Sequence, residues 1–556
     1  MDSRGILNRQ PLVVQGGAVL TVPMTDVTLP MTSLWRTGDA PEDPALAWPT
    51  LRDPGAGLPL ERFDVAVVGA GITGLATALM LVRGGLEVVV VEADRVGALA
   101  SGANTGKASV LQGTTLQRIR ASHPDRLVRG YVEANLDGQR WIAQFANEHG
   151  VPVTEETAYS YAASEAGLRA VDREYAAALA AGLPAERIER LPVTFPFAGA
   201  VGLPGQLGLD PYRLVIAMAR AFVAEGGTLL EGVRVEGADA GRPVELHTPQ
   251  GTVRADAAVI ATATPILDRG LYFAKISASR SYLTAYRVQD APPPGLFLSV
   301  DSPTRSVRTT PDTEDDVPPL LLVGGNGHPV GRVESTEAKI ADLVDWTGRH
   351  FPGAELTHRW AAQDYKSANL VPFVGRMPRG RGRVWVATGY AKWGLTNGVA
   401  AAIRISSEIV GVPWREQRPW IRVLGTRVTR PSDLARGAAE NARVARGLAV
   451  GWAGAQGHPA PAARPAEGEG VVVSRGGVPY GISTVDGQTC AVRAVCTHLG
   501  GVLRWNDAET SWDCPLHGSR FEASGARIEG PAVHDLPTEP RSSRAPDAAD
   551  GAVLPE

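Results

Sequence analysis

From Asp64 the chain runs through the β-branched stretch Val65-Ala66-Val67-Val68 into a glycine-spaced turn, then a helical stretch from Ile72 to Arg83. Gly84-Gly85 closes that helix, and a second apolar run over residues 87–91 ends in Glu92. The pattern predicts strand, turn, helix, strand and a terminal acid. Far downstream, apolar runs at 471–474, 479–483 and 491–495 predict the short strands of a small β domain. Residues 431–453 are compatible with a helix, with Ser432-Asp433 as a cap and Leu434, Val444 and Leu448 within an Ala-rich stretch. Residues 455–468, rich in Ala, Pro and Gly, read as a semi-extended linker, and the polar tail after Pro540 as disordered. Val323-Gly324-Gly325-Asn326-Gly327-His328-Pro329 is the other glycine-rich candidate for a nucleotide loop. Pro329 and the residues after it oppose a phosphate-binding helix there, so the stretch reads as a loop.

With 556 residues and 44% hydrophobic content, the chain has material for at least two domains. A net charge of −4 without a basic stretch argues against nucleic acid as a partner. No apolar run reaches the eighteen or so residues of a membrane span. Residues 1–32 read as an extension, with apolar patches at Val13-Val14 and 19–22 but no charged n-region before a continuous apolar core. They do not resemble a signal peptide, and Met24 or Met31 is an alternative translation start. Three cysteines leave no disulfide framework, so a cytoplasmic location is expected.

Gly69-Ala70-Gly71-Ile72-Thr73-Gly74 sits between strand and helix, where each glycine has a physical task. Gly69 permits the turn, Gly71 lets the backbone approach a pyrophosphate, and Gly74 lets helix and strand pack closely. The helix N-terminus offers amide donors and a positive dipole to phosphates. Glu92 is placed to accept hydrogen bonds from a ribose. FAD and NAD both use this arrangement, so the motif alone does not choose between them.

Near the C-terminus, Cys496-Thr497-His498 is followed after fifteen residues by Cys514-Pro515-Leu516-His517. Two thiolates suit one ferric iron, and two imidazoles suit a second iron held at a higher potential. The segments 496–501 and 514–521 resemble the two ligand loops of Rieske [2Fe–2S] proteins, which makes Cys496, His498, Cys514 and His517 the expected metal ligands. A Cys2His2 zinc site offers the same donors, but common structural zinc spacings use Cys-x2–4-Cys and His-x3–5-His pairs. Respiratory-type Rieske proteins carry an additional disulfide between the loops. Gly501 and Leu516 occupy those positions here, which implies a ferredoxin-like or oxygenase-like cluster of lower potential. Cys490 reads as a buried thiol.

Further segments resemble the D-amino-acid oxidase and glycine/sarcosine oxidase superfamily, and the resemblance implies FAD. They are 101–107, which looks like a flavin-flanking loop, Val259-Ile260-Ala261-Thr262, the stretch around Val233, and 386–398 before a last helix. Carried onto this chain, the resemblance implies cofactor contacts at Gly69, Gly71, Gly74, Glu92, Ser101, Val233, Ala261, Thr262, Gly389, Gly394 and Gly398. From about Ser33 to about Pro537 the chain resembles a bacterial family of FAD-dependent oxidoreductases fused to a C-terminal Rieske domain.

The expected fold is an α/β flavoprotein with a Rossmann-type FAD-binding domain and an α+β substrate domain, followed by a small all-β Rieske domain. The oxidoreductase would span 33–430, with FAD-binding parts at about 60–110, 206–264 and 381–415 and substrate parts at about 110–205 and 265–380. A connecting segment at 431–468, the Rieske domain at 469–537 and a tail at 538–556 would complete the chain.

The expected function is hydride transfer from a small organic substrate, most plausibly an amine or amino acid, to flavin. Electrons would then pass singly through the cluster to a partner protein, a quinone or oxygen. The alternatives are reverse flow from a partner reductase, for a reductive or monooxygenase reaction, and a non-catalytic electron carrier or redox sensor. Lys107, Lys392 and Trp393 are the candidate catalytic residues. Arg280, Tyr282, Tyr286 and Arg359 are candidates for binding a carboxylate, while His328 and His534 carry no motif.

Overall fold

The computed structural model describes residues 29–36, 58, 62–311, 318–425, 431–456 and 464–538. In the strand Arg62–Val68, alternate side chains enter two different cores. Val65 and Val67 join a cluster formed with the helix Ile72–Arg83, while Ala66 and Val68 join another on the opposite face. The neighbouring strand Val88–Val91 divides in the same way, Val88 and Val90 to one side and Val89 and Val91 to the other. A strand covered on both faces needs no polar alternation, hence the unbroken apolar runs.

The dinucleotide sheet runs in the order Phe373–Arg376, Val384–Thr388, Gly251–Ile260, Arg62–Val68, Val88–Val91, Thr228–Leu230, with Val244–Thr248 pairing antiparallel to the start of Gly251–Ile260 and Gly237–Asp239 to Val244–Thr248. Its central pairs are parallel, with Val65 beside Val88 on one side and Ala257 on the other. The helices Pro211–Ala224 and Gly394–Val410 pack beside Ile72–Arg83 on one face. The second sheet has nine strands and is mostly antiparallel. Its strands Ile276–Arg287 and Glu355–Ser367 pair along nearly their whole length.

Two stretches join different sheets from those expected for their position. Lys107–Ala108, within the expected FAD-binding part, pairs into the second sheet. Phe373–Arg376, within the expected substrate part, pairs into the dinucleotide sheet. The glycine-rich stretch read as a loop is a strand, Leu321–Pro329, paired with Ile276–Arg287 and with Arg305–Thr309. Sheet pairing on both sides overrides its loop-like composition, and its glycines admit close neighbours: a Cβ at Gly325 would lie 2.1 Å from the Thr304 carbonyl oxygen.

The C-terminal β domain has a three-stranded sheet (Gly470–Arg475, Val478–Val485, Gln488–Arg493) and a four-stranded one (Arg504–Asn506, Ser511–Asp513, Arg520–Glu522, Arg527–Glu529). The helix Pro431–Gln456 spans the two halves of the molecule. Arg436 donates to the Ala368 carbonyl and Asn441 to that of Ala274, while Val444 and Leu448 pack on the β-domain core and Trp452 donates to the Gly500 carbonyl. Of the linker read at 455–468, residues 457–463 lie outside the described residues, as do 1–28 and 539–556.

The β domain is seated firmly. Arg280 forms a buried pair with Glu509, which Arg520 also approaches at 3.1 Å. Burial pushes the Glu509 carboxyl up, but the two guanidiniums outweigh it and hold it at about 2. Asp507 reaches across to the start of the helix Glu337–His350, accepting from the amides of Thr336 at 2.7 Å and Glu337 at 3.1 Å. It thereby supplies from the β domain a carboxylate cap at a positive helix end.

Candidate flavin cavity and cluster loops

A cavity extends from the glycine turn to the facing strands of the second sheet. Gly69 has φ +107°, and a Cβ there would stand 2.7 Å from the Ala261 carbonyl oxygen. A Cβ on Gly71 would stand 2.9 Å from Ser101 Oγ, so bare backbone forms the cavity wall. Gly74 and Gly398 do not line the cavity. Gly74 presses on the Gly69 carbonyl, where a Cβ would be 1.9 Å away, and Gly398 presses on Thr73.

Ser101 Oγ accepts the Ile72 amide at 3.1 Å, holding the loop on the helix start. Glu92 accepts from the amides of Ala70 at 2.7 Å and Asp94 at 3.0 Å. Burial raises its carboxyl against those two bonds. The Val233 amide donates to the Glu92 carbonyl at 2.9 Å. Ala261 and Thr262 line the wall beyond.

Lys107, Lys392, Trp393, Gly389 and Gly394 also line the cavity. Lys107 is buried, donating to the Phe297 carbonyl at 2.9 Å and to Ser306 Oγ. Burial, then Arg308, lowers its ammonium to about 7. Lys392 Nζ donates to Ser281 Oγ at 2.8 Å. Its side chain has free surface, but that surface faces the cavity, and the surrounding protein lowers its ammonium while Asp364 opposes the shift. Asp364 Oδ2 is buried without a hydrogen-bond partner among the described residues, and burial raises the carboxyl. Trp393 stands at the N-terminus of the helix Gly394–Val410.

The proposed carboxylate binders are otherwise engaged. Arg280 pairs with Glu509, and Arg359 pairs with Glu337 and donates to the Leu29 carbonyl. Tyr286 belongs to an apolar core. Tyr282 reaches the cavity, with its hydroxyl 3.1 Å from His328 Nε2.

In the β domain, two loops bring the four donors together. Gly500 and Gly518 take φ +71° and +81°, turning each loop just after its histidine segment. Cys496 and Cys514 are both buried, and the neighbouring Cys514 sulfur favours the Cys496 thiolate while the Cys514 thiol is pushed up. The His498 and His517 rings lie 5.1 Å apart, and the Phe273 ring sits 5.3 Å from each. Both His498 ring nitrogens are buried without a hydrogen-bond partner among the described residues, the Asp268 carboxylate being 3.7 Å from Nε2. Among the described residues no point is surrounded by three or more metal donors. Paired thiols and paired imidazoles fit a binuclear cluster instead, with sulfur on one iron and nitrogen on the other. Leu516 packs where a Cβ on Gly501 would fall, 2.6 Å away, filling the space between the loops. Cys490 is half-buried on the strand Gln488–Arg493 rather than fully buried.

The cavity and the cluster loops share a wall. Gln363, Asp364 and Tyr365, on Glu355–Ser367, line the cavity together with Ile528, Glu529 and Gly530 of the β domain. Tyr365 Oη lies 3.1 Å from a Glu529 carboxylate oxygen, and burial raises that carboxyl to about 7. Sequence reasoning assigned none of these a role.

Residues 64–407 match the family model described as FAD dependent oxidoreductase. The chain belongs to that family. Residues 459–540 match the Rieske [2Fe-2S] domain, so this is an FAD-dependent oxidoreductase that carries an iron–sulfur centre. The Rieske 2Fe-2S protein YhfW of Bacillus subtilis (strain 168) is 28% identical over 510 residues, covering 90% of this chain and 96% of the relative. The chloroplastic cytochrome b6-f complex iron-sulfur subunit of Arabidopsis thaliana is 52% identical over 48 residues, 9% of this chain and 21% of that subunit. Among solved structures, glycine oxidase from Geobacillus kaustophilus superposes with a TM-score of 0.54 at 19% identity, over 64% of this chain and 96% of that one. L-proline dehydrogenase from P. horikoshii gives 0.53 at 15%, over 65% and 95%. These two likenesses establish the shared flavoprotein fold.

Proposed function

We propose that the enzyme oxidises the C–H bond beside the nitrogen of a small amine or amino acid, and that its electrons leave through the Rieske centre to a partner protein, a quinone or oxygen. The observation that carries this reading is the shared wall: Gln363 and Tyr365 line the flavin cavity and hydrogen-bond the Rieske domain. The amine class is supported by the fold shared with glycine oxidase and L-proline dehydrogenase.

Gly69, Gly71, Ser101, Ala261 and Thr262 would hold the pyrophosphate region of FAD, with Gly74 and Gly398 shaping the packing behind it. Glu92 and Val233 would meet the adenosine part. Gly389, Gly394, Lys107, Lys392 and Trp393 would surround the ring end. Cys496, His498, Cys514 and His517 would ligate the cluster. When bound, the flavin supplies hydride acceptance and the cluster supplies one-electron carriage. Lys107, lowered to about 7, can hold or give up a proton at Nζ near neutrality, and Asp364 offers a carboxylate to a cationic amine. A cytoplasmic location accords with three thiols outside any disulfide, and no helix among the described residues is long and apolar enough to cross a membrane.

Anaerobic stopped-flow mixing with a panel of amines and amino acids tests the reading. Flavin bleaching followed by cluster reduction is expected. Bleaching only through an added reductase would reverse the flow, and reversible titration of both centres without turnover would make the chain a carrier.

A further inference from the structure

Gln363 is 3% exposed, and its side-chain amide donates two hydrogen bonds of 2.8 Å. One goes to Tyr365 Oη, within the cavity wall, and the other to the carbonyl oxygen of Gly518. Gly518 follows the cluster ligand His517 directly in the chain. The contact is tight, because a Cβ on Gly518 would lie 2.3 Å from Ala278 Cβ and 3.1 Å from Gln363 Nε2. A single side chain therefore joins the flavin cavity to the peptide of a ligand loop. Phe273 touches both ligand imidazoles but is not part of the cavity wall.

Gln363 keeps these two bonds at a cost. Its Oε1 is buried without a hydrogen-bond partner among the described residues. An unsatisfied buried acceptor costs about 1–3 kcal/mol, and Leu or Met would remove this one only by taking the donor from the Gly518 carbonyl. What Gln363 adds is the N–H bond to Gly518, and electrons couple better through bonds and hydrogen bonds than across van der Waals gaps.

We propose that Gln363 carries the electronic coupling between the flavin cavity and the Rieske cluster, by way of Gly518 and His517. The proposal rests on electron flow from flavin to cluster, the reading given under the proposed function. In each passage one electron leaves the reduced flavin and one cluster iron goes from ferric to ferrous. The flavin's second electron follows once a one-electron acceptor protein has reoxidised the cluster. After two passages the flavin is oxidised and its N5 proton has gone to water, with no atom crossing Gln363.

The test uses the full holoprotein carrying Gln363→Met, which keeps the side-chain length and removes the N–H donors. Light-driven reduction of the flavin with EDTA under anaerobic conditions, followed by freeze-quench EPR, times the arrival of electrons at the cluster. The variant is expected to keep wild-type flavin absorbance, iron content, cluster g-values and midpoint potentials, while transfer slows at least tenfold. Gln363→Leu, which also lacks the donors, gives the same reading should methionine disturb folding. Gln363→His, which retains an N–H, should recover part of the rate. If the wild type transfers electrons and the Met and Leu variants match its rate, the proposal is overturned and the flow stands. If the wild type itself passes no electron from flavin to cluster, the flow reading fails and this proposal with it.

Discussion

At the residue scale, Lys107 shows how burial turns a charged side chain into a group that titrates near neutrality. Its ammonium falls from the usual 10.5 to about 7. Between those values the unfolded chain binds more protons than the folded one, so folding stability rises with pH across that window. The rise is at most about 1.4 kcal/mol per pH unit. Lys107→Met is expected to flatten it, and chemical denaturation at pH 7 and pH 9 checks this; a variant that keeps the wild-type slope would rule Lys107 out as its source. The four cluster donors make a second case. His498→Cys combined with His517→Cys should retain iron but lower the midpoint potential, because thiolates replace imidazoles. Redox titration followed by EPR decides, and an unchanged potential would remove both histidines as ligands. Gly71→Leu, placed where even a Cβ meets Ser101 Oγ at 2.9 Å, should abolish FAD retention, read by the flavin absorbance of the purified protein.

At the element scale, local pattern foretold the elements whose neighbours are close in sequence. The helix Ile72–Arg83 and the strand before it stand where residues 64–83 put them. Leu321–Pro329 was missed, because its pairing partners Ile276–Arg287 and Arg305–Thr309 come from elsewhere in the chain and no local signal announces them. The start of Glu337–His350 depends on a distant residue as well. Thr336 makes no side-chain cap of its own, and Asp507 serves from the Rieske domain. Asp507→Ala should therefore cost about 1–2 kcal/mol in denaturant unfolding, the range of a lost cap. It should also speed hydrogen exchange at the first turn of that helix. Unaltered exchange there would assign Asp507 to the interface alone.

At the scale of the whole molecule, the Rieske domain helps to enclose the candidate flavin cavity. Ile528, Glu529 and Gly530 line the cavity, and the buried Arg280–Glu509 pair holds the domain against the second sheet. Removing Arg280 leaves the buried Glu509 carboxylate with Arg520 alone at 3.1 Å, so the loss should fall below the ~3–5 kcal/mol of a buried charge left with no partner. Arg280→Met is thus expected to loosen the domain and accelerate FAD release, measured as recovered flavin fluorescence. If release is no faster than in the wild type, the enclosure does not depend on that seat.

The sequence by itself determined the two chemistries of this protein. Both signals are local: a glycine turn between strand and helix, and two short loops each bearing a cysteine and a histidine. Backbone sterics and donor chemistry act within a few residues, so spacing suffices to read them. Only the tertiary structure decided what connects them. Arg280 and Arg359 resembled substrate binders in sequence, yet carboxylates from distant segments engage both, while Gln363, Asp364, Tyr365 and Glu529 emerged as shared wall. Which face an arginine or glutamine presents depends on sheet register and on a domain packed more than a hundred residues away. Those contacts are set by the burial of whole surfaces, and no window of sequence contains them.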